Sequence, residues 1–299
     1  MNTQELLNKA IKLSNFIGIN NVDDPERLEK HDEKHHRVVQ LTEARNLYIE
    51  NSGKVKAGLS GTLCFSGTDI HSFWSDGSKA FFVDGEILYQ LLEDYTTVAI
   101  RTGMALGATV KYTVFNDRVY YANGFQAGYI LNFQNYSFMD PAREFKAPLP
   151  IGKHIEKHTV NILIAVGNTL YISDPLSDYY DVRYGYRRFS DDITMIRSVG
   201  AGLYVGDSQV YFVRGAINEE FARSNAYPLP AIEGTDLTRQ ENEREFAIWT
   251  SEDGVCLGDD SGRVMNITKD RYLMGEHRRG AAFICKLEQE EYYINTLGG

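Results

Sequence analysis

The chain has few cysteines and prolines, and it has no long apolar run. Its 299 residues include 3 Cys and 7 Pro. Cys64, Cys256 and Cys285 are too few and too widely spaced for a disulfide framework or a C-x-x-C zinc or redox motif, so we expect them to be buried as small hydrophobic side chains. No stretch reaches the roughly 18 to 20 apolar residues that a membrane span requires. Because the first ten residues also lack the apolar region of a secretory signal, we expect a protein that folds in a cytosol and has no membrane partner.

Positive charge is also scarce. Lys and Arg number 31 against 41 Asp and Glu, which gives a formal net charge of −10. Proteins that hold nucleic acid by neutralising its phosphates need clustered Lys and Arg, so this balance leaves only passive contact with DNA. The chain is instead rich in 19 Tyr, 15 Phe and 26 Gly. This composition favours many short strands joined by tight turns.

The N-terminal 40 residues differ from the rest of the chain. Residues 4–16 place Leu6, Leu7, Ile11, Leu13 and Phe16 close to helical spacing, which is compatible with a short helix or an irregular arm. Residues 22–37 are highly charged with one apolar residue in their middle, and we expect a surface loop. The predicted organisation is an arm and charged loop over residues 1–40, followed by one domain over residues 41–299.

Six segments of that domain share a loose pattern, in which a strand leads through a polar or Gly-containing turn into an aromatic strand. They are residues 70–85, 110–124, 162–173, 196–206, 245–258 and 281–295. Asp-Gly and Ser-Gly pairs such as those at 76–77, 84–85, 253–254 and 261–262 tolerate the positive φ that two-residue hairpin loops need. A spacing of about 35 to 50 residues is typical of four-stranded propeller blades. The pattern predicts an all-β β-propeller of about five to seven blades with a short N-terminal arm, although a sandwich or an open barrel would use the same turns.

Several segments, in order, resemble one group of tailed-phage virion proteins. They are Gly18-Ile-Asn-Asn-Val-Asp-Asp-Pro, Leu41-Thr-Glu-Ala-Arg-Asn-Leu-Tyr-Ile-Glu, His71-Ser-Phe-Trp-Ser-Asp-Gly, Tyr112-Thr-Val-Phe-Asn-Asp-Arg-Val-Tyr-Tyr-Ala-Asn-Gly, Gly167-Asn-Thr-Leu-Tyr-Ile-Ser-Asp-Pro-Leu and Ile193-Thr-Met-Ile-Arg-Ser-Val-Gly-Ala-Gly-Leu-Tyr-Val-Gly. The group is similar to the propeller-containing tail-nozzle and packaged-DNA-stabilising proteins of short-tailed phages. The resemblance implies a six-fold ring below the portal and adaptor that lines the DNA exit channel. The chain departs from the group in being short, which leaves open the ring of the tail that it would form.

Residues that could carry chemistry have simpler interpretations. His31-x-x-x-His35-His36 could hold a metal on a helix, but Lys30, Lys34 and Arg37 oppose a cation, and we interpret the segment as a solvated charge run. His71 and Ser72 are adjacent, and since neighbours on a strand point to opposite faces we do not expect a Ser–His relay.

Six aspartates at strand ends are candidates for a channel site but are each explained as turn formers: Asp76, Asp84, Asp174, Asp207, Asp253 and Asp259. The glycine pairs lack the form of a nucleotide-binding loop. We therefore predict no catalytic, cofactor-binding or metal-binding residues.

The expected function is that of a non-enzymatic virion structural protein that forms a homo-oligomeric ring, a hexamer by the resemblance, in the phage tail. The ring would extend or seal the DNA channel and join neighbouring tail or connector proteins. Two Tyr- or charge-rich segments, residues 22–37 and 178–188, are candidates for subunit contacts. One alternative is a glycan-binding or glycan-cleaving propeller for host recognition, which requires acids and aromatics converging at the channel mouth. Another is a monomeric protein-docking platform.

Overall fold

The computed structural model describes residues 16–24, 27–31, 37–41, 47–49, 55–57, 63–214, 217, 221–241, 243–269, 271–287 and 290–298. The chain forms two compact units, Met1–Leu63 with Thr268–Leu273, and Cys64–Ile267 with Met274–Gly299. The division that the sequence suggests after residue 40 stays a prediction.

The first unit contains two small sheets. Their strands are β1 (Phe16–Ile19), β2 (Glu29–His31), β3 (Arg37–Leu41), β4 (Leu47–Ile49) and β5 (Val55–Ala57). Strand β3 lies between β1, to which it is parallel, and β2, to which it is antiparallel, while β4 and β5 form a hairpin.

The expectation of a surface loop over residues 22–37 is wrong at 29–31, where the chain forms strand β2. A charged segment can pair with β3 because the ladder uses backbone N–H and C=O groups and needs no apolar side chain. The helix considered for residues 4–16 lies outside the described residues, except that Phe16 begins a strand.

The second unit is built from strands throughout its described residues. In chain order they are β6 (Ile70–Ser75), β7 (Ala80–Asp84), β8 (Ile87–Leu91), β9 (Thr97–Thr102), β10 (Lys111–Phe115), β11 (Arg118–Ala122), β12 (Ala127–Leu131), β13 (Gln134–Tyr136), β14 (Lys146–Pro148), β15 (His154–His158), β16 (Asn161–Val166), β17 (Thr169–Ile172), β18 (Tyr179–Asp181), β19 (Tyr186–Arg188), β20 (Met195–Val199), β21 (Gly202–Gly206), β22 (Val210–Arg214), β23 (Ala222–Tyr227), β24 (Leu237–Glu241), β25 (Arg244–Ser251), β26 (Gly254–Gly258), β27 (Val264–Asn266), β28 (Arg279–Leu287) and β29 (Glu290–Gly298).

These strands form five four-stranded antiparallel sheets in the described part of the chain. Their orders are β6-β7-β8-β9, β10-β11-β12-β13, β15-β16-β17-β19, β20-β21-β22-β23 and β24-β25-β26-β27. A β14-β18 ribbon and a long β28-β29 hairpin complete the unit. The first strands of successive sheets contact one another, β10 with β15, β15 with β20, and β20 with β24. The prediction of an all-β β-propeller with about five to seven blades is confirmed.

Each of the six repeat segments contains a hairpin, but the hairpins occupy different positions in the blades. The first, second and fourth segments supply the first two strands of a sheet, whereas the third and fifth supply the second and third strands. The sixth is the two-stranded β28-β29 hairpin. The repeat therefore identified hairpins correctly without fixing the blade boundaries.

The core lies between neighbouring sheets, where the strand faces that point towards the adjacent blade are apolar. One buried cluster joins the third and fourth sheets through residues such as Leu163, Leu170 and Leu203, and another joins the fourth and fifth through Tyr204, Phe212 and Trp249. None of the described residues forms a helix long and apolar enough to cross a membrane.

Only one of the three cysteines matches the expected burial. Cys256 is buried, Cys285 is half-buried and Cys64 is exposed. Cys256 lies on β26 in the buried cluster between the fourth and fifth sheets, whereas Cys64 lies before the first strand of the first blade.

Candidate functional site

Four charged side chains from four different blades meet at the centre of the propeller unit. Lys111 begins β10, Glu156 lies on β15, Arg197 lies on β20, and Asp236 directly precedes β24. Because the first strands of successive sheets are neighbours and enter from the same end, residues near their starts converge. We call these four residues the axial cluster.

The axial cluster is held by short, charge-assisted hydrogen bonds. Lys111 Nζ donates to Asp236 Oδ1 at 2.8 Å, and Arg197 Nε donates to Asp236 Oδ2 at 2.8 Å. Arg197 Nη1 donates to Glu156 Oε2 at 2.7 Å, and Arg197 Nη2 donates to the Asp236 carbonyl at 2.9 Å. The Asp236 side chain is only 2% exposed. Since ionised groups must be paired when buried, these bonds fix the relative positions of the four blades.

The pKa values of the two carboxyl groups in the axial cluster are shifted in opposite directions. Burial alone would raise the pKa of Asp236, but the positive charges of Lys111 and Arg197 outweigh it and lower the pKa to about 2. Burial raises the pKa of Glu156 to about 7, because the attraction of Arg197 is opposed by the nearby negative charge of Asp236. Asp236 is therefore the permanent anion of the cluster, and Glu156 exchanges its proton near neutral pH.

A cavity of about 510 Å³ opens beside the axial cluster. Its lining comes from the segment before β10, the β11-β12 turn, the start of β15, the segment before β24 and the start of β28: residues 106–109, 111, 123–125, 153–154, 233–234 and 279–280. Lys111 lines this cavity and also binds Asp236. We call the cavity the axial pocket.

One wall of the axial pocket is polar and contains a buried histidine. Lys153 Nζ lies 2.7 Å from Glu233 Oε1, and His154 Nε2 lies 3.7 Å from the same oxygen. The His154 side chain is 4% exposed, and its Nε2 has no hydrogen-bond partner. Burial and the nearby Lys111 charge lower the pKa of His154 to about 3, so the imidazole is neutral at physiological pH.

The chemistry of this region is dominated by paired charges. The carboxylates of Glu156, Glu233 and Asp236 each contact a cationic side chain. Within the described residues no group of three or more His, Cys, Asp or Glu side chains is arranged to hold a metal ion.

The six aspartates considered from the sequence do not converge on the axial cluster. Three of them accept backbone N–H bonds within their own turns, as expected: Asp76, Asp207 and Asp259. Asp84 lies next to its turn glycine, but its side chain accepts the N–H groups of Thr68 and Asp69. Asp174 instead binds Lys146, and Asp253 accepts a 2.6 Å hydrogen bond from the Tyr227 hydroxyl. Both residues nevertheless lie in turns, since the Asp174 carbonyl accepts the Ser177 N–H and Asp253 lies between β25 and β26.

The expectation that His71 and Ser72 point apart is wrong. Ser72 has a φ of 56°, and the β6-β7 register shifts between His71 and Trp74. This bulge rotates the two neighbours onto one side, so that His71 Nδ1 and Ser72 Oγ are 2.7 Å apart. Ser72 Oγ also accepts the Val110 N–H at 2.9 Å, which joins the first and second blades. The other suggested histidines, His35 and His36, lie outside the described residues.

The Tyr-rich segment suggested as a subunit contact forms an exposed face. Phe145, Val182 and Tyr184 are 45%, 41% and 60% exposed. The Val182 N–H donates to the Phe145 carbonyl, and the Arg183 guanidinium lies 4.2 Å from the centre of the Phe145 ring. We call Phe145, Val182, Arg183 and Tyr184 the ribbon face, since they adjoin the β14-β18 ribbon.

The axial cluster was missed in the sequence, although each member leaves a signal. Lys111, Glu156, Arg197 and Asp236 follow one another about 40 residues apart, which is close to one blade repeat. This spacing alone does not identify them, because β15 (His154–His158) and β24 (Leu237–Glu241) each contain several other polar residues.

No family model matches the chain, and no curated protein matches it. Among solved structures, the chain is similar to a gluconolactonase from Xanthomonas campestris, with 12% identity over 72% of this chain and 80% of that chain and a TM-score of 0.46. It is also similar to a virginiamycin B lyase from Staphylococcus aureus, with 13% identity over 72% and 73% of the two chains and a TM-score of 0.45. A calcium-binding protein, regucalcin, from Agrobacterium tumefaciens gives 12% identity over 73% and 78% and a TM-score of 0.41. At these identities the likeness concerns the β-propeller fold alone.

Proposed function

We propose that the chain is a non-enzymatic structural protein of a phage virion, which forms a homo-oligomeric ring in the tail and contacts adjacent tail or connector proteins. The observation that carries the structural role is the axial cluster, in which buried cations and carboxylates from four blades pair with one another. Such pairing holds neighbouring blades in a fixed arrangement, because removing one partner would leave the other buried without a counter-charge. The place in a virion tail rests on the sequence resemblance.

The ribbon face supplies a surface suited to subunit contacts. Aromatic residues and Arg are enriched at protein interfaces, and the ribbon face holds Phe145, Tyr184 and Arg183 in mutual contact. Contact through one such face with a different surface of the next copy generates a closed ring when the rotation between copies closes. The proposed ring is a hexamer, through whose centre DNA would pass without specific contact.

Electron microscopy of particles produced from the genome that encodes the chain tests the proposal. We expect six copies in a closed ring on the tail axis. Purified particles that lack the chain would overturn the virion role. A Phe145→Ser/Tyr184→Ser variant should fold but fail to enter particles, whereas Tyr95→Ser, at another residue that is 62% exposed, should enter normally.

A glycan-binding function stays a prediction. The axial pocket has a single aromatic side chain, Phe125, among its described lining residues. Stacking of a sugar ring between several aromatics is therefore not a feature of this pocket.

A further inference from the structure

The axial pocket has the form of a small-molecule site. Its volume of about 510 Å³ falls within the range of roughly 300 to 1,000 Å³ that is typical of ligand pockets. Four of its lining residues are glycines, Gly107, Gly124, Gly234 and Gly280, which keep side chains out of the space. At Gly234 the backbone has a φ of 93°, and an added Cβ would overlap the Gly280 carbonyl oxygen. The wall at this point therefore requires glycine.

The pocket is electropositive in a protein whose net charge is negative. Together with the axial cluster, it holds four cationic side chains and three carboxylates: Lys111, Lys153, Arg197 and Arg279 against Glu156, Glu233 and Asp236. Because burial raises the pKa of Glu156 to about 7, this carboxyl is only partly ionised at neutral pH. A net positive charge of between one and two therefore lies at or next to the cavity, with Lys111, Lys153, Arg279 and Glu233 in its lining, in a chain of formal charge −10.

Arg279 and His154 provide directed donors. Arg279 is exposed at the start of β28 and makes no ion pair within the described part of the chain, so its planar guanidinium is available for two parallel hydrogen bonds. His154 lines the pocket with a side chain that is 4% exposed, and its buried Nε2, 3.7 Å from Glu233 Oε1, has no hydrogen-bond partner. A buried polar atom without a partner costs free energy unless a ligand or water satisfies it.

We propose that the axial pocket binds a small oxyanion-bearing ligand, whose carboxylate or phosphate group contacts Arg279, Lys153 and His154. Arg279 supplies the paired donors and Lys153 a point charge, while His154 Nε2 gains the hydrogen bond that it lacks. Phe125, which is 67% exposed, covers an apolar part of the ligand. Because Lys153 also binds both carboxylate oxygens of Glu233, most of the uncompensated positive charge at the pocket comes from Arg279.

Calorimetric titration with inorganic phosphate and with citrate, at constant ionic strength in chloride, tests the proposal. We expect saturable binding of at least one of the two at one site per chain. Arg279→Met and Lys153→Met should each weaken that binding at least tenfold. Lys157→Met is the matched control because it removes an exposed cation from the same strand as His154 but outside the pocket, and it should bind like the unchanged protein.

The ¹⁵N resonance of His154 Nε2 provides a second readout that does not depend on these variants. Its shift should change along the same binding curve as the heat signal. Absence of saturable binding by both anions, or equal weakening by Lys157→Met, would overturn the proposal. Binding of a DNA duplex without binding of phosphate or citrate would also overturn it, in favour of a polyanion surface.

Discussion

Two blade hairpins are each closed by a pair of residues with left-handed backbone. Asn116 and Asp117 connect β10 to β11 with φ values of 50° and 61°, and Asn132 and Phe133 connect β12 to β13 with φ values of 49° and 62°. Asn and Asp tolerate this conformation, whereas Phe does so only at a steric cost. Phe133 is 52% exposed, so burial does little to offset that cost.

Replacing Phe133 with glycine should therefore stabilise the protein. We expect a gain of about 0.5 to 1 kcal/mol in the free energy of unfolding, because relief of left-handed strain exceeds the entropy that glycine adds to the unfolded chain. Urea denaturation measures it. Phe73→Gly is the control, since Phe73 is 62% exposed on β6 without a positive φ, and it should lower stability. A loss of stability in both variants would contradict the strain argument.

Glu156 makes stability depend on pH in a direction opposite to that of a paired surface carboxylate. Its folded pKa of about 7 lies above its ordinary value of 4.5, so the folded state binds more protons between these values. Stability then falls as pH rises from about 4.5 to about 7, by an amount on the order of 3 kcal/mol. The effect of His154 has the opposite sign. Its pKa is lowered from 6.5 to about 3, so the folded protein loses the stability that His154 contributes as the pH falls from about 6.5 towards 3.

The Glu156→Gln variant isolates this effect. The difference in unfolding free energy, variant minus unchanged protein, should rise between pH 4.5 and pH 7 and level off above pH 7. The His154 contribution cancels in that difference. Thermal or urea unfolding at a series of pH values measures it, with Glu144→Gln, an exposed carboxyl, as the control. A flat difference would mean that Glu156 ionises normally.

At the scale of elements, the fourth and fifth blades fit together through aromatic rings against glycines. An added Cβ on Gly262, between β26 and β27, would overlap the buried Phe212 ring of β22, and one on Gly258 of β26 would come within 2.5 Å of Tyr204 Cζ on β21. Tyr204 also donates a 2.7 Å hydrogen bond to the Asp259 carbonyl. The close approach of the two sheets depends on the absence of these side chains.

Gly258→Ala tests this fit. The φ of Gly258 does not favour glycine, so only the overlap with Tyr204 opposes alanine. We expect a loss of about 1 to 3 kcal/mol of stability, typical of an overpacked core. Gly298→Ala is the matched strand control, because its Cβ would meet only a carbonyl oxygen 3.8 Å away. Equal effects of the two substitutions, measured by urea denaturation, would remove steric overlap as the cause.

At the scale of the whole propeller unit, the axial cluster links blades that are distant in sequence. Removing Lys111 leaves the buried Asp236 carboxylate with one cation fewer. Removing one partner of a surface ion pair costs much less, because water solvates the charge that remains. The Lys111→Met variant should therefore lose about 3 kcal/mol. Lys286→Met, whose 2.9 Å pair with Glu291 involves a lysine side chain that is 77% exposed, should lose less than about 1 kcal/mol. Comparable losses in unfolding experiments would mean that the cluster does not hold the blades.

Features that depend on neighbouring residues could be predicted from the sequence. Hairpins were predictable because alternation and Gly-containing turns are local signals, as at Asp84-Gly85, where Gly85 has a φ of 58°. Blade number followed from the repeat spacing. The His71–Ser72 contact was not predictable, because it depends on a bulge at Ser72 whose sequence contains no Gly to mark it.

The axial cluster was not predictable for a different reason. Its members are brought together by the closure of successive blades, and no local pattern gives the rotation between them. Lys111 and Asp236 look like ordinary strand-end charges until the blades are placed around a common centre. The axial pocket depends in the same way on segments from five parts of the chain.

The axial cluster also has a consequence for folding kinetics. The Lys111–Asp236 bond joins residues 125 positions apart, and the Arg197–Glu156 bond joins residues 41 positions apart. Contacts of such sequence separation form only after the intervening blades have closed a long loop, so they belong to the last stage of folding. Stabilisation gained after the folding barrier slows unfolding and leaves the folding rate unchanged. We therefore expect loss of the cluster to increase the unfolding rate and so to shorten the lifetime of the folded state.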